Sequence, residues 1–392
     1  MKERLTPSAC LPADYTRAIL IGRIWLPAVR GPVLVRVQAD GVYDLSSIAP
    51  TASQLLDRDN PGEAVAAAAS APRLGSLERI LANSAYDARD EREAWFLAPC
   101  DLQALKASGV TFVASMLERV IEEQARGDPS KANVLRDSVV AIVGRDLGRI
   151  TPGSPEAQRV KDLLIADNLW SQYLEVGIGP DAEIFTKTQP MAAVGTGAEV
   201  GIHPKSGWNN PEPEIVLAVN SRGQTVGATL GNDVNLRDFE GRSALLLGKA
   251  KDNNASCAIG PFIRLFDTHY GIGEVRTCDL DLHIEGPDGF SLSARSSMSM
   301  ISRDPLDLVT HAMGPMHQYP DGAMLFLGTM FAPTQDRFEP GKGFTHAVGD
   351  IVTVSASSLG SLVNRVNHSD KIAPWTFGAV ALMKNLAERR LL

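Results

Sequence analysis

The sequence predicts an α+β protein with a largely antiparallel core, divided into a small β-rich N-terminal domain (1–101) and a larger second domain (102–392). Strand-like and helix-like segments follow one another without the regular alternation of a doubly wound sheet. Apolar runs near the N-terminus are short and are interrupted by Gly, Pro and Asp. The length of 392 residues exceeds the usual size of a single domain, which favours one large domain and one smaller one.

The N-terminal domain is predicted to begin with short strands and continue with helices. Residues 18–46 contain three apolar runs separated by turn residues, a pattern typical of strands joined by tight turns. The segments TASQLLDRDN (51–60) and GEAVAAAAS (62–70) favour helices. The proline-containing stretch Leu97 to Asp101 is therefore placed at the domain boundary.

The second domain is predicted to open with a strand at Val110 to Ala114, followed by a helix. Apolar residues recur at helical spacing in SMLERVIEEQARG (115–127), and the opposite face is charged, which usually indicates a solvated face. Ser154-Pro155-Glu156 is a typical helix start, and this helix is expected to reach about Trp170. The stretch 128–180 is long enough to form a cap over a substrate, a role that the sequence leaves open.

From residue 183 to residue 366 the sequence is rich in strand-forming segments. The predicted strands are IFTK, EIVLAVN, TVGATLG, CDLDLHIEG, AMLFLGT, DIVTVSAS and SLVNRV. A helix is predicted at Asp304 to Met313. Strands are therefore expected to dominate the core of the second domain.

Composition excludes several classes of partner. A net charge of −8 and a pI near 5.5, with no block of Lys and Arg, argue against nucleic acid. No apolar run reaches the roughly 18 to 20 residues of a membrane helix, and the first residues are polar, so a soluble cytoplasmic protein is expected. Four cysteines lie far apart without a CxxC pair, which predicts free thiols.

Three carboxylates form the strongest candidate for a chemical site. Glu212 and Glu214 lie two residues apart where a strand begins, so both side chains point the same way. Asp233 follows the strand TVGATLG in a Gly-Asn-Asp sequence that suits a tight turn. A site made of carboxylates, without nearby His or Cys, suits Mg²⁺ or Mn²⁺ better than zinc. An E-x-E pair alone is more often two solvated acids.

Further candidates are a lysine and two strand ends. Lys251 lies in an apolar stretch where an unpaired ammonium group is costly, so a carboxylate or substrate partner is expected, whereas nearby Lys249 is interpreted as a surface lysine. Phe185-Thr186-Lys187 and Gly328-Thr329 are candidates for binding a keto-acid carboxylate. Each of these by itself is more often structural.

The order of these motifs resembles the fumarylacetoacetate hydrolase superfamily over about residues 102–392. The shared features are FTK, E-x-E, GND-x-x-x-RD, a lysine before Gly-Pro, GT and NRV, in that order. The longer segments TFVASMLERVIEE, LWSQYLEVGIGPDAEIFTK and DKIAPWTFG are similar to one branch, the 2-keto-3-deoxy-pentonate dehydratases, of which 2-keto-3-deoxy-D-xylonate dehydratase is an example. The resemblance implies a mixed β-roll fold, a homodimer or dimer of dimers, and one Mg²⁺, with Mn²⁺ as the other possibility.

The resemblance also implies roles for individual residues. Glu212, Glu214 and Asp233 would be the metal ligands and Lys251 a catalytic residue. Glu118 would occupy the place of a lid histidine and act as the catalytic base, although the short alignment can slip to Arg119 or Glu122. Four residues would bind substrate: Arg119, Phe185, Lys187 and Thr329.

The position of the histidines favours a dehydratase over a hydrolase. The first histidine is His203, so the N-terminal 202 residues cannot supply the lid histidine of hydrolytic members. The expected reaction is conversion of a 2-keto-3-deoxy-D-pentonate, derived from D-xylonate or D-arabinonate, to α-ketoglutarate semialdehyde through an enolate and loss of the C4 hydroxyl. One alternative is a hydrolase of a 2,4-diketo acid, for which His311, His317 or His346 would have to substitute for the lid histidine. The others are a decarboxylase of an oxaloacetate-like substrate on the same metal site and a non-catalytic sugar-acid binding protein.

Overall fold

The computed structural model describes residues 1–132, 150–166, 170–329, 331 and 333–392, which form two β-sheets with helices around them. The α-helices, numbered along the described chain, are α1 Pro7–Cys10, α2 Ala52–Leu56, α3 Pro61–Ala66, α4 Leu77–Asn83, α5 Val113–Ala125, α6 Pro155–Ala166, α7 Gln172–Ile178, α8 Arg237–Glu240, α9 Leu247–Lys251, α10 Ile272–Arg276, α11 Pro305–Ala312 and α12 Ala379–Glu388. The strands are β1 Leu20–Leu26, β2 Gly31–Gln38, β3 Gly41–Asp44, β4 Arg73–Gly75, β5 Trp95–Leu97, β6 Ala104–Gly109, β7 Glu183–Thr188, β8 Glu199–Ile202, β9 Pro213–Val219, β10 Thr225–Asp233, β11 Cys257–Leu265, β12 Asp279–Glu285, β13 Ser291–Ser297, β14 Ala323–Phe326, β15 Ile351–Ala356 and β16 Gly360–His368. Short 3₁₀ helices lie at Lys2–Arg4, Pro27–Val29, Ala244–Leu246 and Met298–Met300.

The larger sheet has eleven strands, in the order β4-β3-β2-β1-β11-β10-β9-β14-β6-β7, with β5 also paired to β1. The smaller sheet has the order β13-β12-β15-β16-β8. The pairs are antiparallel except β14 with β6 and β16 with β8, which are parallel. The predicted α+β class with a largely antiparallel core is therefore confirmed.

The N-terminal strands belong to the same sheet as the strands of the second half. Strand β1 pairs with β11, with Leu20 opposite Arg264 and Ile21 opposite Ile263. Arg264 is buried and makes a two-pronged ion pair with Asp14, at 2.7 Å for each bond. The larger sheet therefore contains strands from both sides of the predicted boundary at residue 101. That boundary, like the predicted dimer, stays a prediction.

Strand β9 lies inside the larger sheet, between β10 and β14, and carries the candidate site at its start. Ile215, Leu217 and Val219 pack into one apolar cluster, whereas Val216 and Ala218 pack into the cluster on the other face of the sheet. This alternation follows from the two-residue repeat of a strand and buries β9 on both faces. A strand fixed on both faces holds the residues at its N-terminal end in a defined position.

Most predicted elements are present, and two local predictions are wrong. The segment Val110 to Ala114 is not a strand, because β6 ends at Gly109 and Val110 adopts the left-handed conformation with φ of 48°. The chain turns there and enters α5 from Phe112. Asp233 is the last residue of β10 and does not lie in a turn. The four cysteines are free, as predicted, and all four are buried.

The predicted cap stretch 128–180 is described only in part. Helix α6 begins as expected, and the Ser154 hydroxyl accepts a hydrogen bond of 3.1 Å from the Ala157 amide. The helix is described to Ala166, short of the predicted Trp170. Residues 133–149 and 167–169 lie outside the described residues, so the role of the stretch is not tested. Among the described helices, none has the length and apolar character needed to cross a membrane.

Candidate active site

Three buried carboxylates meet where β9 begins and β10 ends. The two strands are antiparallel neighbours, with Glu214 opposite Gly231. The Asp233 amide donates a 2.9 Å hydrogen bond to the Glu212 carbonyl. One carboxylate oxygen from each of Glu212, Glu214 and Asp233 lies within 4.8 Å of the others. All three residues are at most 2% exposed. The fold therefore brings together the three predicted metal ligands.

Protein cations lie beside Glu212 and Asp233, whereas the described residues provide no ion pair for Glu214. Burial, together with Asp233 and Glu212, raises the pKa of Glu214 well above its usual value, although its carboxylate also accepts a 2.6 Å bond from the Gly328 amide. Burial also opposes ionisation of Glu212, but Arg119 and Lys251 outweigh it and hold its pKa at about 2. Like charges packed this closely require a cation or a proton. A hard divalent cation fits this set of oxygen donors.

Lys251 supplies a fixed positive charge beside the cluster. Its ammonium group contacts Glu212 and lies 3.0 Å from Asp233. Burial disfavours the charged ammonium, but Asp233 and Glu212 outweigh burial and raise the pKa of Lys251. Lys249 is exposed, as the sequence analysis predicted. Lys251 is thus charged and has the carboxylate partners that its apolar sequence context required.

Lys187, predicted to bind substrate, supports the site from behind. Its ammonium group lies 3.0 Å from Asp233, contacts the Lys251 carbonyl and donates a 3.2 Å bond to the Ser256 hydroxyl. The side chain is completely buried, and Lys187 is not among the described residues that line the cavity in front of the three carboxylates. These contacts fix Asp233 against the end of α9.

A cavity opens in front of the carboxylates. Within the described part of the chain, its lining consists of Ser108, Gly109, Val110, Ser115, Arg119, Glu183, Phe185, Glu212, Glu214, Asp233, Glu240, Lys251 and Thr329. Phe185 and Thr329, both predicted to bind substrate, are thus part of the lining, and the Thr329 hydroxyl donates a 2.9 Å hydrogen bond to the Phe331 carbonyl. None of these lining residues is a histidine. His346 is buried elsewhere, with Nδ1 2.9 Å from Asp350.

On helix α5, Ser115 lines the cavity, and so does Arg119. Its guanidinium contacts Glu212, lies 2.7 Å from Glu122 and 3.3 Å from Glu240. Glu118 is not among the described lining residues, and its carboxylate lies 3.3 Å from the Arg237 guanidinium. Glu122 is 1% exposed and accepts a 2.6 Å hydrogen bond from Arg237 Nε. The structure therefore does not bring the predicted base Glu118 to the cavity, because ion pairs turn the helix with Arg119 inward.

Two acids in the cavity lining were missed by the sequence analysis, Glu183 and Glu240. Burial, with a further contribution from Glu240, raises the pKa of Glu183 to about 7. Its carboxylate packs over Gly109, where a Cβ atom would lie 1.8 Å from it, so a side chain at that position would collide. Burial also raises the pKa of Glu240. Strand alternation was a usable signal for Glu183, which precedes Phe185 by two residues and so shares its face.

Two curated relatives match about half of the chain. One is the 2-dehydro-3-deoxy-D-arabinonate dehydratase of Saccharolobus solfataricus, 30% identical over 190 residues, which are 48% of this chain and 60% of the relative. The other is a probable 2-keto-3-deoxyxylonate dehydratase of Haloferax volcanii, 29% identical over 194 residues, or 50% of this chain and 63% of the relative. The match thus spans less than two thirds of each relative's length.

Solved structures share the fold over most of the chain. A 2-keto-3-deoxy-D-arabinonate dehydratase in its apo form covers 89% of this chain and 99% of its own, with a TM-score of 0.60 and 19% identity. The same values hold for that enzyme complexed with magnesium and 2,5-dioxopentanoate. The family described as fumarylacetoacetate (FAA) hydrolase C-terminal matches residues 170–367, which are 198 of the 392 residues. The chain therefore belongs to the fumarylacetoacetate hydrolase family.

Proposed function

We propose that this protein is a magnesium-dependent dehydratase that converts a 2-keto-3-deoxy-D-pentonate to α-ketoglutarate semialdehyde. The observation that carries the proposal is one cavity lined by three clustered carboxylates, Lys251 and a further acid of raised pKa, Glu183. The absence of histidine from the described lining favours dehydration over hydrolysis by an activated water. The names of both curated relatives support the same class of substrate, derived from D-arabinonate or D-xylonate.

The residues that would hold magnesium are Glu212, Glu214 and Asp233. Their oxygen donors suit Mg²⁺, with Mn²⁺ as a substitute. When bound, the metal would polarise the 2-keto group of the substrate and make the C3 proton more acidic. The magnesium complex of the arabinonate enzyme, a protein of the same fold, supports the choice of metal.

The proton transfers are assigned to the residues that face the cavity. The Glu183 carboxylate would take a proton from C3 and return it to the departing C4 hydroxyl, so that the C3–H and C4–O bonds break, a C3–C4 double bond forms and water leaves. The unsaturated product then tautomerises through its C5 hydroxyl to the semialdehyde. A pKa near 7 suits a group that must both accept and release a proton. Glu118, the base implied by the family resemblance, remains the competing assignment.

Lys251 and the remaining lining groups would bind and stabilise the substrate. The Lys251 ammonium, fixed between Glu212 and Asp233, can stabilise negative charge that develops on the 2-keto oxygen. Arg119 and Thr329 would contact the substrate's polar groups, and Phe185 would pack against its carbon chain. Lys187 contributes indirectly by holding Asp233.

The test is direct turnover of both sugar acids. Purified protein is incubated with 2-keto-3-deoxy-D-xylonate or 2-keto-3-deoxy-D-arabinonate, with Mg²⁺ or with EDTA, and the product is oxidised by an aldehyde dehydrogenase specific for α-ketoglutarate semialdehyde. Formation of semialdehyde that requires Mg²⁺ is expected. Release of pyruvate from a 2,4-diketo acid, without semialdehyde from either sugar acid, would show that the enzyme is a hydrolase.

A further inference from the structure

Both carboxylate oxygens of Glu212 are already held by protein cations. Arg119 Nη2 donates to Oε1, and Lys251 Nζ donates to Oε2. Glu212 is also one of the three proposed metal ligands. A carboxylate oxygen that accepts a close hydrogen bond from a guanidinium has to give up that contact before it can coordinate a metal in the same direction.

The two cations differ in what else they hold. The other near partner of Lys251 is Asp233, which belongs to the same ligand set. Arg119 has two partners outside that set, Glu122 at 2.7 Å and Glu240 at 3.3 Å. When the guanidinium leaves Glu212, these two acids can keep it paired, so the exchange does not leave an isolated buried charge. Arg119 is therefore the cation that can leave at the lower cost.

The acids that would receive Arg119 are themselves fixed. Arg237 is 1% exposed, donates to Glu122 at 2.6 Å and lies over the Trp208 ring at 4.5 Å from its centroid. Glu240 ends helix α8, which also carries Arg237. The partners of Arg119 thus belong to one buried ion-pair cluster that joins α5 to α8.

We propose that Arg119 is an exchangeable counter-ion of the metal site, which a divalent cation displaces from Glu212 and which then remains with Glu122 and Glu240. This inference rests on the proposed metal site and adds a coupling to it. Metal affinity is then set by competition between the cation and the guanidinium. Glu212 is available to metal only when Arg119 has moved.

The experiment measures metal binding itself. Mn²⁺ is titrated calorimetrically into metal-stripped full-length protein, for the wild type, for Arg119→Gln and for Lys249→Gln. Lys249 is the matched control, because it is an exposed cation two residues from Lys251. We expect Arg119→Gln to bind Mn²⁺ at least about 10-fold more tightly, since the competing ion pair is gone, and Lys249→Gln to remain within about threefold of the wild type.

Thermal unfolding supplies a second readout from the same proteins. Stripped Arg119→Gln should melt below the wild type, because Glu212, Glu122 and Glu240 lose a partner, and Mn²⁺ should raise its Tm by more than it raises that of the wild type. If Arg119→Gln does not fold, Arg119→Lys replaces it. Because lysine keeps the charge on a shorter side chain, Arg119→Lys is expected to bind Mn²⁺ more tightly than the wild type, but less tightly than is expected of Arg119→Gln.

The possible results separate this inference from the proposed function. Equal or weaker Mn²⁺ binding by the Arg119 variant, with normal binding by the wild type, would overturn the counter-ion role and leave the metal site intact. If neither the wild type nor the Arg119 variant binds Mn²⁺, the metal site and the counter-ion role are overturned together. Tighter Mn²⁺ binding by Lys249→Gln as well would show that loss of any nearby positive charge tightens binding. That result would overturn the specific exchange of Arg119.

Discussion

The strand pair β9–β10 and the helix α5 both place charged residues at the cavity, but the sequence predicts them unequally well. On the strands, Glu212, Glu214 and Asp233 are brought together as predicted. On the helix, Glu118 was expected as the base and Arg119 as a substrate contact, and of these two residues Arg119 lines the cavity. Each residue turns a helix by about 100°, so a one-residue error in alignment changes the face that meets the site. In a strand, two residues at spacing two share a face wherever the strand begins.

The charged face of α5 shows why a helix pattern can mislead. Its residues suggested a solvated surface, yet Glu122 is 1% exposed and Arg119 is 8% exposed. Their partners Arg237 and Glu240 lie more than 100 residues later in the chain. Apolar spacing predicts which face of a helix packs on a core, but it does not reveal a polar face that is buried by distant ion pairs.

The largest effect is expected in the strand region, from Glu214→Gln. Loss of one of three clustered carboxylates should abolish tight binding of Mn²⁺ and lower kcat/KM at least about 1,000-fold, since the reaction depends on charge stabilisation by the metal. Calorimetry and the coupled semialdehyde assay measure the two effects. An active variant with wild-type metal affinity would remove Glu214 from the ligand set.

A slightly smaller effect is expected from Lys251→Met, with Lys249→Met as the control. Removing one preorganised donor from a site where negative charge develops costs roughly 100- to 1,000-fold in kcat. Lys249 is the same residue type on the same helix, but it is exposed. The assay should therefore separate the two variants by about two orders of magnitude. Similar activities for the two would place the charge stabilisation elsewhere.

Several strands could not be predicted from the sequence, for a physical reason. Strand β11 is buried at every position and reads as an apolar run, CAIGPFIRL, without alternation. Strand β13 is SLSARSS, which has no β-branched residue and lies at the edge of the smaller sheet. Helix α11, which was predicted, carries a capping signal, and the Asp304 side chain does cap it. The strands that could not be predicted form because they pair with neighbouring strands in their sheets.

Glu183 on strand β7 and Glu118 on α5 are the two candidates for the catalytic base, and their variants should differ in kcat. Because the Glu183 carboxylate lines the cavity, Glu183→Gln should lower kcat about 100-fold with little change in metal affinity. Glu118→Gln should lower it by less than about 10-fold, because Glu118 does not line the cavity and the variant weakens an ion pair with Arg237. Steady-state kinetics on the two variants decide between the assignments. The reverse order would restore Glu118 as the base.

The smallest effect concerns stability and follows from the raised pKa of Glu183. In metal-stripped protein this carboxyl has a pKa of about 7 when folded, against an ordinary value of 4.5. Between these values the unfolded chain loses the proton while the folded protein keeps it, so folded stability falls as the pH rises from 4.5 to 7 and then levels off. The loss between pH 5.5 and pH 8 amounts to about 2 kcal/mol. Glu183→Gln should lack this loss, because its amide does not titrate. Urea unfolding of the wild type and the variant at both pH values measures the difference, and a gap between the two proteins that stays constant with pH would show that Glu183 is ionised in the folded state throughout.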